Sequence, residues 1–133
     1  MNRFALAAAT LLLAATVSYA QFDSEPKYDA ASVSGLVDRV HNDLNHAYRM
    51  WHFSNADRDR LNHSEKELRD FADKWQHGRF DKGQLNGAID SVQHVLDNNK
   101  MPPEDRDALS EDLSQLRKMR EAYDRHEIEG ARH

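Results

Sequence analysis

The chain has 133 residues, a formal net charge of −5 at pH 7 and no cysteine. Without cysteine it forms no disulfide, Cys-ligated zinc site, iron–sulfur cluster or c-type haem attachment. The acidic balance argues against binding to nucleic acid or to anionic lipid, because both need a basic surface. The length fits one domain.

The first 20 residues have the pattern of a signal peptide. Arg3 forms a basic start, and an apolar run from Phe4 to Val17 follows it. Small residues precede a predicted cleavage site between Ala20 and Gln21. The run is shorter than the roughly 20 apolar residues of a membrane span, so no stable membrane anchor is expected after cleavage. We therefore expect an exported protein, periplasmic or secreted.

Residues 21–31 lack periodicity and contain Pro26, which predicts a flexible lead-in. A helical bundle is predicted over residues 32–126, and its first helix spans Ser32 to about His52. Polar residues such as Arg39, Asp43 and His46 are expected on the solvent side of that helix. Its apolar positions recur at intervals of four and three, as in helices packed against near-parallel neighbours: Val33, Val37, Val40, Leu44, Ala47 and Trp51.

A break is predicted at residues 53–55, where Ser54 or Asn55 can cap the next helix. A continuous bent helix is the alternative, since neither Gly nor Pro forces the stop. The second helix is predicted from Ala56 to His77, with Gly78 at the position that follows a helix C-cap. Its apolar face carries the same period: Leu61, Ser64, Leu68, Phe71 and Trp75.

The strongest local signal is the start of the third helix. Asp81 is predicted to be its N-cap, and Gln84 can reach back to the Asp81 backbone. Phe80 can pack on Leu85 across the same turn. The helix then continues with its own apolar stripe: Leu85, Ala88, Ile89, Val92, Val95 and Leu96.

The last helix follows Met101-Pro102-Pro103, and acidic residues in its first turn favour the positive helix N-terminus. Its predicted stripe is Leu109, Leu113, Leu116 and Tyr123, and residues 127–133 are expected to be a frayed tail. Short loops between amphipathic helices indicate an all-α, up-down four-helix bundle. The alternative is a three-helix bundle with a long bent first helix.

The chain contains eight histidines, which raises the question of a metal site. His63 with Glu67, and Asp90 with His94, are spaced so that each pair lies on one helix face. Neither pair has the third and fourth ligands of a dedicated site, so solvated surface histidines are expected. The axial ligands of a haem-binding bundle are missing too, and no cofactor is expected.

The segment EKELRDFADKWQHGRFDKGQLNGAID, followed by DRDALSEDLSQLR, resembles a group of small exported bacterial proteins of unassigned function. The similarity covers roughly residues 60–120 and includes the KW-x-x-G-R-F-D-K turn and the D-R-D-x-L helix start. The resemblance implies a helical architecture. It implies no activity, ligand or site.

No catalytic motif is present, which predicts a protein that is not an enzyme. The sequence favours a protein that acts through protein–protein contacts, with a partner or by self-association. An envelope-stress accessory or chaperone-like role fits the expected compartment. The alternative is a small-ligand or metal-binding bundle that uses surface histidines.

Overall fold

The computed structural model describes residues 28–131. Within that range the chain forms four helices and no strand: α1 (Ala30–Met50), α2 (Asn55–Gln76), α3 (Lys82–Asn98) and α4 (Pro103–Asp124). The predicted cleavage site at Ala20 and Gln21 lies outside the described residues, as does most of the predicted lead-in.

The four helices form an up-down-up-down bundle, as predicted. Each helix packs against its two neighbours in a ring, so that α4 closes the bundle against α1. The break between α1 and α2 excludes the three-helix alternative: the C-cap Trp51 has extended backbone angles. The side chain of Ser54 then caps α2 by accepting a hydrogen bond from the Asp57 N–H at 3.1 Å.

The predicted apolar stripes form most of the core, but two of their residues, Trp51 and Tyr123, are only partly buried against it. The five α1 positions from Val33 to Ala47 are each at most 6% exposed. Two connections add to this core, since Phe80 and Met101 are also buried. No helix among the described residues is long and apolar enough to cross a membrane.

The turn after α2 has the predicted geometry. Gly78 adopts a left-handed φ of 82°. The Gly78 N–H donates to the Trp75 carbonyl, and the Arg79 N–H donates to the Lys74 carbonyl. This pair of bonds is the Schellman motif, and it satisfies two carbonyls that the helix end would leave without partners.

Two interactions were predicted at the start of α3, and the structure confirms one of them and contradicts the other. Asp81 Oδ1 accepts a hydrogen bond from the Gln84 N–H at 3.1 Å, as the N-cap prediction requires. The reciprocal bond is not formed, because Gln84 Oε1 is buried without a hydrogen-bond partner. The other oxygen of Asp81 accepts instead from Lys74 Nζ at 2.7 Å.

The end of α4 differs from the predicted frayed tail. His126 takes a left-handed φ of 58°, and the Glu127 N–H donates to the Ala122 carbonyl. This turn folds the chain back, so that Ile128 is 7% exposed and joins the hydrophobic core. An apolar residue placed just after a Schellman-type turn commonly packs back on its helix.

Candidate functional site

The two candidate metal-binding pairs lie on different helices and do not form a common site. His63 Nε2 and Glu67 Oε1 lie 2.9 Å apart on α2, and the His63 side chain is 66% exposed. Asp90 and His94 are exposed on α3. In the described part of the chain no three His, Asp or Glu residues converge on a point where a metal ion could sit. A two-residue clasp on one exposed helix face is a weak ligand set.

Five ionisable side chains meet instead at the interface between α1 and α4, and we call them the charged cluster. Arg39, Asp43 and His46 come from α1, and Asp105 and Asp112 come from α4. Arg39 Nε donates to Asp112 Oδ1 at 2.8 Å, and His46 Nδ1 is hydrogen-bonded to Asp105 Oδ1. The two bonds are seven residues apart on each helix, as an antiparallel pair requires.

Both α4 aspartates of the charged cluster are buried. Asp105 is 4% exposed and Asp112 is 1% exposed. Each has one oxygen, Oδ2, that is buried without a hydrogen-bond partner. The ordinary place for a carboxylate on an amphipathic helix is its solvent face, and neither aspartate lies there. An ionised carboxylate with an unsatisfied buried oxygen destabilises the interface, because its lost hydration is not fully replaced.

The two aspartates differ in how their charge is stabilised. Asp105 lies in the first turn of α4, where the unpaired N–H groups of the helix favour a negative charge. Asp112 lies in the middle of α4, where the helix N-terminus gives no such help. Burial raises the pKa of Asp112, a hydrogen bond with Asp43 raises it further, and Arg39 lowers it, with a net pKa of about 7.

This environment favours a proton on the Asp112 carboxyl. Two carboxylates share a hydrogen bond only when one of them carries a proton. Asp112 is within hydrogen-bond reach of Asp43, and its Oδ2 has no other partner. Protonated Asp112 therefore donates to Asp43, while its Oδ1 still accepts from Arg39. The cluster can take up and release one proton near neutral pH.

A smaller polar group lies on the other side of α1, against α2. The side-chain amide of Asn45 donates to His41 Nε2 at 2.9 Å, which leaves the proton of neutral His41 on Nδ1. That atom is 3.4 Å from Glu65 Oε1. Nearby Tyr48 has a pKa raised to about 12, chiefly by burial and then by the charge of Glu65. Helix α1 is thus bordered by acidic groups of both neighbours.

An open cleft of about 240 Å³ lies where the first half of α1 faces α4. Arg39 is part of its wall, so the cleft adjoins the charged cluster. Packing between the two helices is therefore incomplete on this side. The cleft is lined by Tyr28, Ser32, Val33, Gly35, Leu36, Arg39 and Gln115.

Comparison of the chain with protein-family models, with curated proteins and with solved structures gives no match. The resemblance of residues 60–120 to small exported bacterial proteins therefore stays a prediction.

Proposed function

We propose that the chain is an exported, non-enzymatic helical bundle that acts through protein–protein contacts, as an envelope-stress accessory or chaperone-like protein. The observation that supports this proposal is the charged cluster between the first and last helices of the bundle. Ion contacts of this kind oppose separation of two helices less than a well-packed apolar interface does, because water can solvate the separated ions. The exported location rests on the signal-peptide pattern before Gln21.

Two features of the bundle favour displacement of α1. Only residues 51–54 join α1 to the rest of the described bundle, and no short loop connects it to α4. When α1 moves away, Arg39 and His46 regain water, as do the two aspartates they contact. Hydration of the separated ions offsets much of the attraction that is lost. An apolar interface gains no such hydration when it separates.

Displacement of α1 exposes a groove with a defined chemistry. Its floor is the core that α1 covers in the closed bundle. One edge carries Glu65 of α2, and the other carries Asp105 and Asp112 of α4. The helix that fills the groove presents histidine and arginine to those acids. The fitting partner is therefore an amphipathic helical segment with basic residues flanking its apolar stripe.

A peptide with the sequence of α1 tests this proposal directly. The 21-residue segment 30–50, labelled with a fluorophore, should bind the purified chain and raise the fluorescence anisotropy. A matched peptide with Arg39→Glu and His46→Glu should bind at least about tenfold more weakly, since like charges then face the acidic edge. Equal binding of the two peptides would contradict the assigned partner chemistry.

A crosslink across the cleft supplies the second arm of the test. Ser32 and Gln115 line the same cleft from α1 and α4, and the chain has no other thiol to interfere. The Ser32→Cys, Gln115→Cys double variant, bridged with a bis-maleimide, should neither bind the peptide nor suppress aggregation of heat-denatured citrate synthase. The same variant capped with a mono-maleimide is the control. Full activity of the bridged protein would show that α1 need not move.

The contacts of the candidate ligand residues do not support the metal- or ligand-binding alternative. His63 and Glu67 are a two-residue contact, and Asp90 and His94 lie exposed on another helix. No observation on the described residues favours that class of function over protein contacts.

A further inference from the structure

The charged cluster concentrates the buried ionisable groups of the bundle on one interface. Within the described residues the buried polar and charged side chains are Ser64, Asp105 and Asp112. Ser64 is satisfied within α2, because its hydroxyl donates to the Leu61 carbonyl at 2.8 Å. Both remaining groups are acids of α4 that face α1, and each keeps one unsatisfied oxygen.

We propose that the charged cluster is a proton-linked switch: a proton shared by Asp112 and Asp43 holds α1 against α4, and its loss releases α1. The inference rests on the proposed function for the consequence of release. It adds the condition that controls release, which is the pH of the surrounding medium.

The two protonation states satisfy the cluster to different degrees. With the proton present, Asp112 is neutral, can donate to Asp43 and still accepts from Arg39. Without the proton, two carboxylates face each other, and Asp112 is an ion buried from water with only one oxygen bonded. Arg39 offsets part of this cost, but its own side chain is 48% exposed, and water screens its charge.

The other groups near Asp112 do not reverse this direction. On α4 itself, Glu111 is exposed and accepts from Gln115. From α3, the neutral amides of Asn86 and Gln93 accept from Arg120 and Arg117, on the flank of α4 that faces away from α1. From α1, besides Arg39 and Asp43, the nearby ionisable group is His46, and its contact is with Asp105.

The size of the effect follows from linkage. In the released state Asp112 is hydrated and has the ordinary pKa of an aspartate near 3.8, whereas in the closed state the pKa is about 7. Between those two values the closed state holds one proton more than the released state. The fraction of molecules with α1 released should therefore rise about tenfold per pH unit over this window and level off above it.

A single engineered thiol measures the release of α1. Val40 is 1% exposed on α1, so in Val40→Cys the thiol reacts with a methanethiosulfonate reagent only when the helix moves. The reference carries Asp112→Asn as well, because asparagine can accept from Arg39 and donate to Asp43 without titrating. The ratio of labelling rates in the two proteins cancels the pH dependence of the thiol reaction and of groups other than Asp112. We expect this ratio to rise about tenfold per unit from about pH 5 until it levels off near pH 7.

Val92→Cys separates release of α1 from unfolding of the whole bundle. Val92 is equally buried, but it lies on α3. We expect Val40→Cys to label at least about tenfold faster than Val92→Cys, as local opening without global unfolding requires. Equal labelling rates at the two positions would overturn the release of α1, and the proposed function with it. A second outcome would overturn the proton-linked switch alone. In that outcome Val40→Cys labels faster than Val92→Cys, but the ratio of its labelling rate to that of the Asp112→Asn reference does not change with pH.

Discussion

Replacement of Asp81 by alanine removes two interactions at the turn between α2 and α3. Asp81 Oδ1 caps α3 by accepting from the Gln84 N–H, and Oδ2 accepts from Lys74 at the end of α2. Loss of an N-cap costs about 1 kcal/mol, and loss of a partly exposed ion pair costs up to about 1 kcal/mol. We expect Asp81→Ala to lower the free energy of unfolding by about 1–2 kcal/mol.

Two further variants separate the cap from the ion pair. Asp81→Asn keeps an oxygen that accepts from Gln84 but loses the charge, so its cost should be below about 1 kcal/mol. Lys74→Met removes the same ion pair from the other partner and should have a similar cost. Urea denaturation followed by circular dichroism gives each midpoint, with an unchanged m-value. An unchanged midpoint for Asp81→Ala, or equal shifts for Asp81→Asn and Asp81→Ala, would refute the assignment of the cap.

The pH dependence of the same residue provides an independent check. The hydrogen bond from Lys74, and then that from the Gln84 backbone, hold the pKa of Asp81 below its ordinary value. Because the folded pKa is the lower one, this contribution is present at neutral pH and is lost as the pH falls below about 4. The stability difference between the natural chain and Asp81→Asn should therefore shrink in acid.

Phe71→Ala should lower the free energy of unfolding by about 3–5 kcal/mol, because Phe71 is fully buried and packs edge-to-face on Phe80. Lys66→Ala, at an exposed position of the same helix, is the control for thermal melting and should change little. Gly78→Ala should cost about 1 kcal/mol, because a side chain is strained at its left-handed φ. The intact mass of the exported protein should correspond to an N-terminus at Gln21, and full-length chain in a membrane fraction would contradict the predicted cleavage. Metal analysis after mild chelation should find less than one zinc per chain, whereas retention of a full equivalent would revive the metal-binding alternative.

The fold was predictable because its determinants are periodic or local. The apolar stripes repeat at the helical period, so they indicate both the helices and the faces that pack. The caps at Asp81 and Gly78 depend on residues only a few positions away. The position of Glu67 was less predictable. Its side chain is 21% exposed and lies where a Cβ on Gly87 would touch it, a contact that its spacing with His63 does not indicate. That contact exists only because α2 and α3 approach closely.

The charged cluster could not be predicted from the sequence pattern of any single helix. Arg39, Asp43 and His46 each precede a buried α1 residue, so they lie at the edge of the apolar stripe. Whether an edge residue meets water or another helix depends on which helix is the neighbour and in which direction it runs. The ring order of the bundle decides this point, and the antiparallel α4 brings Asp112 opposite Arg39 and Asp105 opposite His46.

The α4 side of the cluster did leave a signal in the sequence. Starting from Asp105, the positions Leu109, Asp112, Leu116 and Met119 follow at intervals of four, three, four and three, which is the same core period that α1 uses. A reading that looks only for apolar residues passes over the two aspartates on that stripe. Because a polar residue at a core position lowers stability, its presence there argues for a role other than folding. In this bundle the only carboxylates at core positions of α4 are those that face α1, so their ionisation can alter the docking of one helix while the stripes of the other three stay packed.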